Sequence, residues 1–529
     1  MGHSQDLVTD AAGPFGTPDG SRADIKAVLS SFVRLDDHPG FGAVATRAND
    51  ASVRVIVGRM GAGKTVYMRR LFSFQESSPA VYADLPQQSL PQTELIVKVC
   101  QWFPRHYLVE KWMYLWGRAI LRSLATHLLA ARELRASISQ DDADELKREY
   151  GHLIGKFRKP RSIYSVLREI INEHNTGNHL SRYLENPDWD DLEHTLADLL
   201  RSSPPVFFYL DAVDDTFNAA PLYWLRCHEG LFLQVMQLLR DGKFGSRLHV
   251  VICVRDLVLS SIYRSEHAPR YHDEPHIRVL NWSRDAIGFL LEEKLKRLSA
   301  THLMTPTATD PVEAWLGSTW IHNESRGVDE ELLHYLLRHT RLIPRDLVSL
   351  GNSLSQLVLR QKEAGCTEIP PQQLRAVVAA ASRRFGDSQL AQCASQIAAD
   401  MIPANAMERG GYGEFYLSNT DYADSLRDKL KDIIASVSVD RFPRSTLEVM
   451  DELAGESFDG CTRVSSVLWQ NGLLGYVEGH DSVFFSAVDS ADFDITKNAD
   501  EYVLHPCVLN SVQGVRPFGP RPVHPYRRG

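Results

Sequence analysis

The sequence predicts an α/β protein with a mostly parallel sheet, a helical insertion in that sheet, and then a helical lid and a winged-helix-like C-terminal domain. Short continuous apolar runs alternate with helical patterns in the first half, which is typical of buried parallel strands. The second half is dominated by helical periodicity and ends in an alternating, hairpin-like stretch. The predicted strands are SVRVIV, PAVYADL, PPVFFYLDAVDD, RLHVVICVRD and PHIRVLNW.

Composition limits the class of protein. A chain of 529 residues exceeds what one hydrophobic core usually holds. Its 58 Lys+Arg and 67 Asp+Glu give a net charge of −9, which argues against a protein that binds polyanions over its whole surface. Seven cysteines without a CxxC pair predict neither a disulfide framework nor a zinc site. No apolar run reaches the roughly 18 residues of a membrane span, and no signal peptide pattern opens the chain. We expect a cytoplasmic protein without a membrane partner.

The chain divides into five expected units. The first is rich in Gly, Pro, Asp and Ser, so we expect it to be flexible and to carry no chemistry. The last is basic and Pro-rich and is expected to be extended, either solvated or in contact with nucleic acid or a partner. The units are a leader (1–25), an α/β domain (26–285) with a helical insertion (about 92–200), a helical lid (286–400), a winged-helix-like domain (401–510) and a tail (511–529).

Local signals place several helix ends. Ser283 is expected to cap the first lid helix, with Asp285 in its first turn. Near the C-terminus, Ser445 and Glu448 form a predicted capping box. A following helix should stop at 471–472, and a hairpin should turn at 478–481. Two or three helices and then a hairpin are the ingredients of a winged helix.

A glycine-rich stretch between the first predicted strand and helix carries the strongest functional signal. It fits the pattern GxxxxGK followed by Thr or Ser, the Walker A motif or P-loop. Glycines let successive backbone N–H groups converge on a phosphate at a helix N-terminus. The expected nucleotide ligands are Gly58, Arg59, Met60, Gly61, Ala62, Gly63, Lys64, Thr65 and Val66.

This motif predicts an Mg-ATP site in a P-loop NTPase domain. Lys64 is expected to reach the β- and γ-phosphates, and the Thr65 hydroxyl to hold Mg²⁺. ATP is favoured over GTP because no NKxD guanine motif follows. A glycine-rich strand-to-helix turn without a ligand is the structural alternative. The sequence also lacks HExxH and GxSxG motifs, which excludes the common metalloprotease and serine-hydrolase patterns.

Acidic residues after the third predicted strand complete the metal site. Asp211 ends the apolar run VFFYL and is expected to hold the metal through water. Asp214 or Asp215 could polarise the attacking water, or could instead cap the next helix. These carboxylates are the expected catalytic acids.

Two arginines are expected to sense the phosphates. Arg255 ends the next strand, where it could contact the γ-phosphate or form a salt bridge to Asp256. Arg345 opens a lid helix after a proline, where it could couple lid closure to the nucleotide or lie on the surface as an ordinary arginine.

The order GRMGAGKT, FFYLDAVDD, VICVRD and YLLRHTRLIPRDL resembles bacterial P-loop ATPases of the STAND, KAP and Orc/Cdc6-like group, which is related to AAA+ proteins. The likeness covers about 50–360, and it includes a DGLDD-type second motif, the Walker B motif. The resemblance implies an oligomerising switch or motor that controls a neighbouring effector, often in anti-phage defence. Ala212 departs from the paired acids of many relatives, which leaves the hydrolytic base open.

Two other functions stay open at this point. One is a DNA-associated protein that uses ATP to close around duplex, as origin-binding relatives do. The presumptive recognition helix contains only Arg463 as a basic residue, which is few for phosphate contacts. The other is a scaffold that keeps its nucleotide without hydrolysing it.

Overall fold

The structure is a computed structural model that describes most of the chain. The described residues are 13–20, 22, 52–78, 80–84, 93–211, 221–401, 420–458, 463–479, 482–486 and 494–527.

A five-stranded sheet in which every strand pair is parallel forms the centre of the first half. The strand order is β2-β3-β4-β1-β5, so β1 lies between β4 and β5. The residues of β1, β3 and most of β4 are buried, which explains why these strands are continuous apolar runs. The predicted α/β class with a parallel sheet is confirmed. The strands are β1 (Val55–Gly58), β2 (Tyr82–Ala83), β3 (Val206–Asp211), β4 (Leu248–Arg255) and β5 (Ile277–Val279).

Helices cover the sheet and form a large helical layer between β2 and β3. Trp112 and Trp116 are fully buried in that layer. The helices of this half, within the described residues, are α1 (Lys64–Glu76), α2 (Thr93–Trp102), α3 (Leu108–Ala130), α4 (Arg132–Arg135), α5 (Gln140–Ile154), α6 (Ile163–Glu173), α7 (Gly177–Leu184), α8 (Asp188–Ser202), α9 (Pro221–Arg240) and α10 (Asp256–Tyr263).

The lid region contains a β-hairpin as well as helices, so the prediction of a purely helical lid was wrong. The hairpin pairs Asn323 with Val328, and the buried side chains of Asn323 and Glu330 hydrogen-bond at 2.5 Å. Polar residues that pair inside the hairpin have no apolar alternation to reveal a strand. The lid elements are α11 (Arg284–Leu295), α12 (Pro311–Leu316), β6 (Trp320–Asn323), β7 (Val328–Glu331), α13 (Leu332–Arg338), α14 (Pro344–Glu363) and α15 (Pro371–Met401).

The C-terminal module, residues 420–527, combines helices with a second five-stranded sheet of order β12-β10-β9-β11-β8. The tail belongs to this sheet, because β12 pairs with β10 in parallel. The module contains α16 (Thr420–Ala435), β8 (Arg441–Pro443), α17 (Arg444–Ser457), α18 (Val464–Gln470), β9 (Leu474–Glu478), β10 (Ser482–Phe485), β11 (Glu501–Leu504), α19 (Pro506–Ser511) and β12 (Tyr526–Arg527).

Part of the leader packs tightly against the lid, contrary to the expectation of a flexible segment. Phe15 is 1% exposed, and its ring stands 5.1 Å from that of Trp315. Asn352 accepts a hydrogen bond from the Phe15 N–H and donates one to the Gly16 carbonyl, both at 2.9 Å. Residues 13–20, here called the N-terminal strap, are therefore anchored to the lid through the buried Phe15.

Candidate functional site

The glycine loop, residues 59–63, joins the central strand β1 to the first turn of α1. Gly61 and Gly63 have φ values of 89° and 96°, a conformation that other residues rarely adopt. The Ala62 N–H donates to the Arg59 carbonyl at 3.1 Å and closes a tight turn. The glycines that the motif requires are therefore at the positions where the backbone needs them.

Lys64 is the first residue of α1, and its side chain folds back across the loop. Its ammonium donates to the carbonyl oxygens of Gly58 and Arg59 at 3.0 and 3.2 Å. The residue is only 7% exposed. A buried ammonium is thus held directly over the loop that precedes it.

Two loop carbonyls are held from outside the loop. The Arg345 N–H donates to the Gly61 carbonyl at 3.3 Å, and the Trp282 indole N–H donates to the Ala62 carbonyl at 2.9 Å. In a trans peptide the N–H points away from the C=O of the same unit. Since the Ala62 carbonyl faces Trp282, the N–H of Gly63 faces the opposite side, towards which an anion could bind.

Asp211 ends β3 at the same edge of the sheet as the loop. It pairs with Cys253 of β4, which in turn pairs with Ile56 of β1. Asp211 is thus two strands from β1, a separation on the order of 10 Å. The carboxylate is 2% exposed. Burial raises the pKa of Tyr164 well above its usual value, and the nearby charge of Asp211 adds to this effect.

The remaining acidic candidates cannot be placed in the same way. Asp214 and Asp215, with Ala212 before them, lie outside the described residues. Thr65 is half-buried in the first turn of α1, and a Cβ on Gly20 of the strap would lie 3.4 Å from the Thr65 Cβ. The strap therefore lies next to the N-terminus of α1.

Arg255 lies beside the loop, as its place at the end of β4 predicted. It pairs with Gly58 in the parallel ladder, and it is 2% exposed. Its guanidinium donates to Gln392 of α15 at 2.8 Å. Asp256, the alternative partner considered for Arg255, faces Arg59 instead, with a nitrogen-to-oxygen distance of 3.5 Å.

Arg345 lies in the first turn of α14, next to the glycine loop. A Cβ on Gly61 would lie only 2.8 Å from the Arg345 Cβ, so the lid and the loop are in close contact. The Arg345 guanidinium donates to the Pro18 carbonyl of the strap at 3.3 Å. Arg345 therefore joins the lid, the loop and the strap.

Arg59 and Met60 point out of the loop towards the C-terminal half of the chain. Arg59 donates to the backbone carbonyls of Ser486 at 2.9 Å and Gln470 at 3.2 Å. Burial lowers the pKa of Arg59, Asp256 opposes this shift, and Arg341 adds to it. The Met60 sulfur accepts a weak hydrogen bond from Gln392 at 3.3 Å. Both residues were expected to contact the nucleotide, whereas here they contact the module and α15. Val66 lies half-buried under Gly20.

Sequence reasoning missed several residues of this site. Trp282, Tyr164 and Gln392 each reach it from a distant part of the chain. Trp282 lies three residues after the end of β5, and residues that follow parallel strands meet at one edge of the sheet. That position could have identified Trp282, but no local pattern singles out the other two.

Among the described residues, no group of three or more His, Cys, Asp or Glu side chains is placed to hold a metal ion. Within the same residues, no helix combines the length and apolarity that crossing a membrane requires. No protein-family model matches the sequence, and neither the curated proteins nor the solved structures contain a significant match.

Proposed function

We propose that this protein is an Mg-ATP-binding P-loop ATPase that acts as a nucleotide-dependent switch and controls a partner, either another copy of itself or an effector. The main support is the loop between β1 and α1, where two glycines with positive φ precede a buried lysine that folds back across the loop. This arrangement brings amides, a helix N-terminus and an ammonium together, which suits a phosphate chain.

The charges around the loop also suit a polyanion. Lys64, Arg59 and Arg255 are all buried and lie on the loop or next to it. Placing several cations in a buried region is costly unless anions accompany them. Asp256 supplies one negative charge near Arg59. A triphosphate would add further negative charge at the loop.

The residues that would hold Mg²⁺ fit its preference for oxygen ligands and retained waters. Thr65 offers a hydroxyl at the start of α1, and Asp211 offers a buried carboxylate at the same edge of the sheet. Held by these two residues, the ion would neutralise the negative charge that develops during hydrolysis.

The alternative of DNA binding through the C-terminal helices has less support. The presumptive recognition helix is α18, and its Val464, Leu468 and Trp469 are at most 5% exposed. The turn after α18 contacts Arg59 of the glycine loop. In this arrangement most of the helix is buried and its C-terminal end contacts the loop, so a protein-facing role is favoured.

The proposal is tested by measuring Mg-ATP binding calorimetrically with wild-type protein and Lys64→Ala. Charged hydrogen bonds contribute about 1.5–3 kcal/mol each, so we expect affinity to fall roughly 100-fold. Lys156→Ala is the control, since the Lys156 side chain is 83% exposed between α5 and α6. Unchanged affinity in Lys64→Ala would rule out the proposed site. Phosphate release by wild type and by Asp211→Asn then separates an ATPase from a scaffold that only retains nucleotide.

A further inference from the structure

One face of α15 carries three glutamines that contact β4, the glycine loop, the lid and the end of α18. Gln389, Gln392 and Gln396 are spaced three and four residues apart, so they lie along one side of the helix. Gln389 and Gln392 are buried, and Gln396 is half-buried. We call these three residues the glutamine row. Amides buried in a lid need partners, and here the partners come from three different parts of the molecule.

Gln392 stands between the tip of β4 and the glycine loop. Its side-chain oxygen accepts the hydrogen bond from Arg255 at 2.8 Å, and its nitrogen donates to the Met60 sulfur at 3.3 Å. One amide thus contacts both the arginine expected to sense the γ-phosphate and the loop expected to hold the phosphates.

The other two glutamines continue the chain of hydrogen bonds to the C-terminal module. The Gln389 nitrogen donates to Gln392 at 3.2 Å and to Asn471 at 2.9 Å. Asn471 donates to the Gln396 oxygen at 2.9 Å, and Gln396 donates to Gln470 at 2.9 Å.

The lid turn joins the same network. Arg341 donates to the Gln389 oxygen at 2.7 Å, and its guanidinium is also held by Asp346. The row therefore links β4, the loop, the lid and the end of α18.

We propose that Gln392 is the positioning residue through which the C-terminal module responds to a nucleoside triphosphate but not to a diphosphate. In the arrangement described here Gln392 holds Arg255, and a γ-phosphate would compete for the same guanidinium. When the γ-phosphate binds Arg255 in place of Gln392, β4 is no longer linked to the glutamine row, and the C-terminal module is held less firmly. This inference rests on the proposed nucleotide site and adds to it the route by which the third phosphate is detected.

The competition favours the phosphate because it is fully charged. Hydrogen bonds from arginine to a phosphate are shorter and stronger than those to a neutral amide oxygen. A diphosphate ends before the third phosphate position, so it leaves the Arg255–Gln392 bond in place. The C-terminal module would accordingly stay in place when ADP is bound and be held less firmly when ATP is bound.

The test compares the ratio of ADP to ATP-analogue dissociation constants, using a non-hydrolysable analogue with Mg²⁺ and full-length protein. Gln392→Met keeps the side-chain length but removes the acceptor oxygen, so it should raise the preference for the triphosphate about tenfold. Gln392→Glu offers Arg255 a carboxylate and should lower that preference by a similar factor. Gln373→Ala is the matched control, because Gln373 lies on the same helix and bonds to Gln361 at 2.7 Å, away from the loop.

Opposite shifts in the two Gln392 variants would support the proposal, since a purely structural role would weaken both nucleotides alike. Equal ratios in wild type and both variants would overturn it while leaving the nucleotide site intact. Failure of wild type to bind either nucleotide would overturn the proposed function and this inference together. Hydrogen–deuterium exchange around Asn471 gives a second measurement: it should accelerate with the ATP analogue but not with ADP, and in Gln392→Met it should be fast with either.

Discussion

Gly61→Ala should loosen the lid above the glycine loop much more than Gly63→Ala does. Both glycines have positive φ, so alanine at either position carries backbone strain of about 1–2 kcal/mol. Their surroundings differ. A Cβ on Gly61 would lie 2.8 Å from the Cβ of Arg345 and 3.1 Å from Ile343 Cδ1, whereas nothing lies within 4 Å of a Cβ on Gly63.

The extra cost at Gly61 follows from what must move. The Arg345 Cβ is fixed to the backbone of α14, so the helix start has to shift, and overpacking of this kind costs about 1–3 kcal/mol. That corresponds to roughly 5- to 150-fold faster local opening. Hydrogen–deuterium exchange of the Arg345 amide, which donates to the Gly61 carbonyl at 3.3 Å, measures it in nucleotide-free protein. Equal exchange in the two variants would show that the lid does not rest on Gly61.

Three further predictions concern the packing around the lid. Gly351→Ala should lower the melting temperature, because the new Cβ would lie 2.4 Å from the ring of Phe15 and displace it. In a Phe15→Ala background the same change should cost little stability. Melting temperatures of the single and double variants test this. Burial lowers the pKa of His524 to about 3, so the unfolded chain binds its proton first and the free energy of unfolding falls below about pH 6.5. His524→Gln should flatten that fall by at most about 1.4 kcal/mol per pH unit between pH 6 and 4, and identical pH profiles of melting temperature would contradict it. Arg326 donates to three tail carbonyls at 2.9–3.1 Å and forms an ion pair with Asp440. Arg326→Lys loses the planar guanidinium, so the rate at which trypsin cleaves the tail should rise about tenfold.

The features that sequence could predict are those set by neighbouring residues. The strands β1, β3 and β4 were visible as apolar runs because most of their residues are covered on both faces of the sheet. Ser283 caps α11 as expected, accepting the Ala286 N–H at 3.1 Å. The glycine loop is a continuous segment whose order of residues fixes its backbone shape. Each of these needs only a few consecutive residues.

The predictions that failed depended on how a segment pairs with parts of the chain that are distant in sequence. Ser445 was expected to cap a helix, but β8 runs to Pro443 and α17 begins at Arg444, so Ser445 lies inside the first turn. The Arg444 side chain bonds to Glu448 at 2.8 Å, which occupies the other half of the expected capping box. Strand pairing with β11 decides where this helix begins, and pairing partners are not visible locally.

The glutamine row, which lies at the candidate site, could not be predicted for the same reason. Arg255 and Gln392 are 137 residues apart, and Met60 and Gln392 are 332 residues apart. A glutamine on a helix most often lies on a solvated face, so the sequence of α15 gives no local sign that Gln392 is buried against the sheet. Lys64 could be found because its partners are its own chain neighbours. Gln392 could not, because its role comes entirely from the packing of the lid on the sheet.

Arg59 explains why the position of the C-terminal module and the occupancy of the glycine loop should depend on each other. The guanidinium is buried, and burial lowers its pKa, so it requires acceptors close by. Two of these are the carbonyl oxygens of Gln470 and Ser486, which belong to the module. If the module leaves, the guanidinium loses both acceptors, and that loss is smallest when an anion is bound at the adjoining loop. A phosphate chain at the loop therefore lowers the cost of releasing the module, and by thermodynamic reciprocity a seated module lowers the affinity for that phosphate chain.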